Sequence, residues 1–114
     1  MRADRGRPAR ADRRADRRGL ERGKSLTAIT PMAEARARVL GRFEGDVRRV
    51  RIQPLAATPT LEVQLEDGSG RIRALFLGRR GIAGIECGRH LVIEGTPVAS
   101  ERGLTLYNPA YELR

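Results

Sequence analysis

Cys87 and His90 stand three residues apart, a spacing that suits a thiol–imidazole pair or half of a zinc site. A structural zinc needs four ligands, and one cysteine and one histidine cannot supply them. A catalytic thiol needs a base that a third group orients, and nothing in the chain identifies that group. Gly68-Ser69-Gly70 lies between two strand patterns and not before a helix, so it is no phosphate cradle. The expectation is a protein that is not an enzyme, with no metal, no cofactor and no small-molecule substrate. Cys87 reads as a small buried hydrophobe.

The residues equipped for binding are arginines. Arg48, Arg49 and Arg51 crowd one segment, Arg71 and Arg73 alternate along another, Arg79 and Arg80 follow it, and Arg102 sits in a later turn. Guanidinium groups pair bidentately with phosphate and also stack on bases. Aromatic platforms are scarce: of two Phe and two Tyr, Phe43 and Phe76 fit core positions, leaving Tyr107 and Tyr111. Base stacking is therefore limited, and phosphate contacts must dominate. Tyr107 is the candidate stacking residue, whereas Tyr111, after Asn108-Pro109, reads as a clamp across the end of the fold. Glu62 and Glu66 fall on the face that holds Arg71 and Arg73, where free carboxylates would repel phosphate.

These side chains need elements to hold them. Leu61, Val63 and Leu65 alternate with Glu62, Gln64 and Glu66, the period of a half-buried strand. Asp67-Gly68-Ser69-Gly70 turns the chain into a second strand, Arg71 to Leu77. Antiparallel pairing across that turn puts Leu65 opposite Ile72, Val63 opposite Ala74 and Leu61 opposite Phe76. The same register sets Glu66 against Arg71 and Gln64 against Arg73 on the other face. Val39 to Gln53 reads as a preceding long strand whose alternation slips by one at Arg48-Arg49, the mark of a bulge. Pro54 to Pro59 reads as a loop. Ile82 and Ile85, at i and i+3 between Arg79 and Cys87, predict a short helix ended by Gly88. Leu91 to Glu94 is a fourth strand, running on past Gly95 and Pro97 to Ala99. After a turn at Glu101-Arg102-Gly103, Leu104, Leu106 and Tyr107 make a fifth. The expected core is Val47, Leu61, Val63, Leu65, Ile72, Phe76, Leu91 and Ile93.

Five strands with a short helix between the third and fourth is the plan of an all-β OB-fold, a Greek-key barrel. Several segments strengthen that plan as a set: Gln53-Pro54, Pro59-Thr60-Leu61-Glu62, Phe76-Leu77-Gly78-Arg79-Arg80, Ile82-Ala83-Gly84-Ile85, Glu94-Gly95 and Asn108-Pro109-Ala110-Tyr111-Glu112-Leu113. Together they resemble the small OB-fold nucleic-acid-binding proteins typical of actinobacteria. More distantly they resemble the wedge domain of the branch-migrating helicase RecG, where a similar Pro-x-Tyr-Glu segment ends the barrel. The resemblance spans about residues 39–114 and implies a barrel with a DNA-binding role.

Charge and composition bound the rest. The net charge is +9, and residues 1–24 hold ten basic and four acidic side chains, with Arg-Ala-Asp-Arg at 2–5, 10–13 and 14–17. Leu20 is the large aliphatic side chain in this stretch after Met1, so burial cannot offset the entropy of ordering it. Residues 1–35 are expected to be a disordered Arg-rich tail and 36–114 the folded domain. No apolar run approaches the roughly 18 residues a membrane helix needs, and Ser25–Ala33 is too polar for a signal peptide. A single cysteine points to the cytoplasm. The expected partner is nucleic acid, single-stranded or branched DNA more than RNA, held with little sequence specificity. The alternative is an interaction module whose barrel docks a protein. The nominated contacts are Arg48, Arg49, Arg51, Arg71, Arg73, Arg79, Arg80, Arg102 and Tyr107.

Overall fold

The structure, a computed structural model, describes residues 28–114. The tail reading for residues 1–27 lies outside them. Seven strands form one sheet: β1 (Gly41–Leu55), β2 (Thr58–Glu66), β3 (Arg71–Leu77), β4 (His90–Gly95), β5 (Val98–Ser100), β6 (Gly103–Tyr107) and β7 (Ala110–Leu113). Their order across the sheet is β5-β6-β3-β2-β1-β4-β7. The edge strands β5 and β7 are the chain continuations of β4 and β6, which lie toward the opposite ends of that order. The sheet therefore wraps on itself into a barrel.

The count of seven corrects the expected five, and the reason is local. The expected fourth strand breaks at Thr96-Pro97 into β4 and β5, since proline brings no N–H to a ladder. The expected fifth breaks at Asn108-Pro109 into β6 and β7. Asn108 adopts a left-handed φ of 49°, donates its N–H to the Leu75 carbonyl at 2.7 Å and accepts the Leu77 N–H at 2.9 Å. That side chain closes the ladder where β6 leaves it.

The hairpin β2–β3 has the expected register, with Leu65–Ile72, Val63–Ala74 and Leu61–Phe76 facing inward and Glu66–Arg71 and Gln64–Arg73 paired outside. The bulge falls where the alternation slips, between Val47 and Arg49. Before it, β1 pairs with β4 from Gly41 to Asp46; after it, β1 pairs with β2 out to Leu55. Gly45 sits where β1 crosses the end of β2. A Cβ there would lie 2.5 Å from the Glu66 carbonyl oxygen, a close approach that only glycine permits.

Two loop readings are corrected. Pro54 and Pro59 are not in a loop: they face each other on one rung, and the turn between β1 and β2 is Ala56-Ala57. The rung lies near the hairpin's end, away from β4, a place that tolerates proline. Between β3 and β4 there is no helix, and no α-helix forms among the described residues. Ile82 and Ile85 are buried as the pattern demanded, but successive turns point them inward. Gly84 at φ 89° and Gly88 at φ 90° interrupt any helical run.

All eight expected core residues are buried in one cluster, joined by Phe43, Met32, Ala74, Ile82, Ile85 and Leu106. Each large aliphatic side chain in it contributes about 1.5–3 kcal/mol through burial. Met32 joins this core although it precedes the expected domain start at residue 36. It lies in a 3-10 turn, Met32–Glu34, and is 4% exposed. The Thr30 N–H reaches the Arg42 carbonyl at 2.8 Å. The Met32 N–H reaches Asp67 Oδ2 at 2.8 Å, and the Ala33 N–H reaches Ser69 Oγ at 3.0 Å. The β2–β3 turn thus grips the segment that precedes the barrel. Asp67 also accepts the Ser69 and Gly70 N–H groups. Burial opposes its charge, yet these hydrogen bonds hold its carboxyl down at about 2.

Candidate nucleic-acid interface

The strand register decides which side chains share the outer face. Arg49, Gln64, Arg73 and Thr105 lie along one rung, from β1 through β2 and β3 to β6. Arg51, Glu62, Leu75 and Tyr107 lie along another, two residues on. Between them the rung Val50, Val63, Ala74 and Leu106 turns inward, so both polar rungs face out. Arg48, Glu66 and Arg71 continue the face toward the β2–β3 turn. Five arginines against Glu62 and Glu66 leave these positions three charges positive, and Arg102 from the β5–β6 turn adds a fourth.

Glu62 organises it. The sequence placed this residue among free carboxylates that would repel phosphate, but its side chain is only 2% exposed. Arg51 donates Nε–H to Oε1 at 2.9 Å. Arg73 and Arg102 approach Oε2 at 3.6 and 3.4 Å. The three arginines come from β1, β3 and the β5–β6 turn. Burial opposes the carboxylate charge, but the Arg51 hydrogen bond and the charges of Arg102, Arg51 and Arg73 outweigh it, holding the carboxyl below its ordinary value. Arg73 is anchored a second time, donating Nε–H and an Nη2–H to Thr105 Oγ1 at 3.2 and 3.1 Å. Ser100 Oγ stands 3.4 Å from the same Nη2. A shallow cleft of about 200 Å³ runs beside this cluster, between Arg49, Arg71, Arg73 and Arg102.

The remaining nominated residues divide. Arg48 and Arg71 stand at the rim, 63% and 70% exposed, and share Glu66 at 3.4 and 3.8 Å. Tyr107 is half-exposed beside Leu75 on the same face. Arg79 and Arg80 are not brought into the cluster. They are exposed in the segment after β3, whose Gly78 N–H bonds the Pro59 carbonyl, at the opposite end of β3 from Arg71. Tyr111 is half-buried and packs against the core, its ring edge-on to Phe76 at 5.8 Å.

The thiol–imidazole spacing produces no pair. Cys87 is exposed, not buried as expected, and its thiol donates to the Arg48 carbonyl at 3.6 Å. His90 turns elsewhere, with Nδ1 2.9 Å from Asp46 Oδ1 and Nε2 2.7 Å from Glu44 Oε2. Each ring nitrogen faces a carboxylate, an arrangement that favours the doubly protonated ring. Hydrogen bonds to Asp46 and then Glu44 raise its pKa. No group of three or more metal-ligating side chains occurs among the described residues, and no helix among them is long and apolar enough to cross a membrane.

Sequence reasoning missed Glu62 as the hub, along with Thr105 and Ser100. The available signal was the register itself: β2 sits between two strands that each carry arginines on its outward face. The third arginine came from a turn that only the closed barrel brings near.

No protein-family model and no curated protein matches the chain. Among solved structures it is similar to the second OB-fold domain of replication protein A from Methanococcus maripaludis, determined by solution NMR. The TM-score is 0.61 at 13% identity, over 75% of this chain and 94% of that domain. At that identity the likeness is one of fold, and it identifies the barrel as an OB-fold. The resemblance to the actinobacterial proteins and to the RecG wedge rests on the sequence segments alone.

Proposed function

We propose that this protein is a non-enzymatic, cytoplasmic nucleic-acid-binding barrel that holds single-stranded or branched DNA mainly through its phosphates. The observation that carries the reading is the outer face of β1, β2, β3 and β6, with five arginines, two glutamates and the half-exposed Tyr107, joined by Arg102 from the β5–β6 turn. An OB barrel offers this surface to an extended strand, between the β1–β2 hairpin and the turn that carries Arg102. Similarity to a domain of a replication protein fits the same class of partner. Few aromatics and many guanidinium groups favour backbone contacts over base readout, hence weak sequence preference.

The test is a titration of labelled single-stranded, duplex and forked oligonucleotides with the full chain over a range of salt. About four or five phosphates engaged by this face account for roughly −3 to −3.5 of the log–log salt slope. Arg49→Ala should weaken binding to all sequences alike and flatten the slope by about 0.7. No binding at low salt, or binding insensitive to salt, would remove the reading. A protein-docking barrel is the second reading. It is favoured by exposed Val39, Leu40 and Val98, near the point where the Arg38 N–H meets the Pro97 carbonyl. Salt-insensitive association would belong to it.

A further inference from the structure

We propose that Glu62 is a positioning residue, whose buried carboxylate locks Arg51, Arg73 and Arg102 into a preformed phosphate-gripping fan. The inference rests on the nucleic-acid reading above and assigns that site its organising group.

A carboxylate at a phosphate-binding surface is expected to weaken binding by repulsion. Glu62 differs because it does not face the solvent. With 2% exposure, its charge is spent on three guanidinium groups, at 2.9 Å from Arg51, 3.6 Å from Arg73 and 3.4 Å from Arg102. A guanidinium carries five N–H donors in a fixed plane. Arg51 spends Nε–H on Glu62, and Arg102 spends one Nη2, so both keep further donors for a ligand. Arg73 is fixed through Thr105 as well. Three long side chains from three separate elements are thereby ordered before any ligand arrives. That removes part of the side-chain ordering cost that binding otherwise meets.

Glu66 makes the contrast on the same face. It pairs with Arg48 and Arg71, but all three are more exposed and the distances are 3.4 and 3.8 Å. Its removal should free two arginines without disordering a cluster.

The two glutamates give predictions of opposite sign. Glu62→Gln and Glu66→Gln each raise the net charge by one, so charge alone would make both bind more tightly. Positioning predicts that E62Q binds single-stranded DNA on the order of tenfold more weakly, while E66Q binds as well as the wild type or better. Full-length proteins are titrated with one labelled oligonucleotide at low salt, after circular dichroism has verified their folding. Glu62→Asp keeps the charge and should recover part of the affinity that E62Q loses. If E62Q does not fold, E62D decides: affinity below wild type supports the fan, and affinity equal to wild type overturns it. Wild-type binding with E62Q equal or tighter overturns this inference alone. Absence of wild-type binding overturns it together with the functional reading.

Discussion

Strand β1 carries two opposite electrostatic arrangements on its outer surface, one on each side of the bulge at Arg48. Before the bulge, cations sit among carboxylates. Arg42 lies between Glu94 at 3.5 Å and Glu112 at 3.6 Å, and His90 lies between Glu44 and Asp46. After it, one carboxylate sits among arginines. His90 keeps 42% of its surface, but Arg42 and Glu62 are comparably enclosed, at 13% and 2% exposed. Their surroundings are not. Glu94 and Glu112 keep 19% and 23% of their surface, whereas Glu62 depends on its arginines for all of its solvation. The first cluster is a structural clasp that water can help to satisfy. The second leaves surplus positive charge pointing outward, which is what a polyanion can use.

Reversing the charge on the second region should produce the largest effect. Arg49→Glu combined with Arg71→Glu is expected to cost on the order of a hundredfold in single-stranded DNA affinity. Glu44→Gln combined with Glu94→Gln should leave it within about a factor of two. Anisotropy titrations at one fixed salt concentration check both, and equal losses would erase the distinction between the faces.

Stability should separate the regions next. Arg73→Ala removes one of the three cations that solvate a buried carboxylate and should cost about 2 kcal/mol. Arg42→Ala removes one cation from two carboxylates that water already reaches and should cost about 1 kcal/mol. Urea unfolding curves measure the difference, and a larger cost at Arg42 would invert the comparison.

The smallest effects are in pH. His90 has a raised pKa in the folded protein, so its contribution is complete below about 6.5, the unfolded value. That contribution is lost as pH rises through the folded pKa. Asp67 behaves in the opposite sense, contributing fully above about 3.9 and losing the contribution as pH falls through about 2. His90→Gln should flatten the stability profile above about pH 6.5, and Asp67→Asn should flatten it between about pH 4 and 2. A wild-type His90 ring titrating at or below the ordinary histidine value, followed by NMR on the chain's single histidine, would contradict the first.

How far the sequence could be read followed the range of the interactions. Local periodicity specified the β2–β3 register and the bulge, because a one-residue slip would have turned Leu65 and Ile72 outward. The isoleucines at 82 and 85 were legible as buried, but spacing alone could not distinguish a helix from glycine turns that aim the same two side chains inward. Met32 was illegible, since a lone apolar residue beyond a basic tail gains its place from distant groups, among them the Asp67 turn 35 positions away. Glu62 looked like a surface acid because its environment is assembled from residues up to the Arg102 turn. The Arg71 and Arg73 alternation was visible; the buried anion beneath it was not.

The wrapped connectivity of the sheet has a kinetic consequence. The β1–β2–β3 meander closes through neighbouring segments, but β3 meets β6 in parallel, pairing Arg73 with Thr105. β1 meets β4 through rungs such as Phe43–Ile93. Such distant pairings make folding slow, on a scale of milliseconds to seconds. The meander can form early, carrying Arg51, Glu62 and Arg73, but Arg102 and Thr105 reach it only when the barrel shuts. A chain still folding on the ribosome would therefore lack the completed arginine cluster around Glu62 until its last strands had emerged.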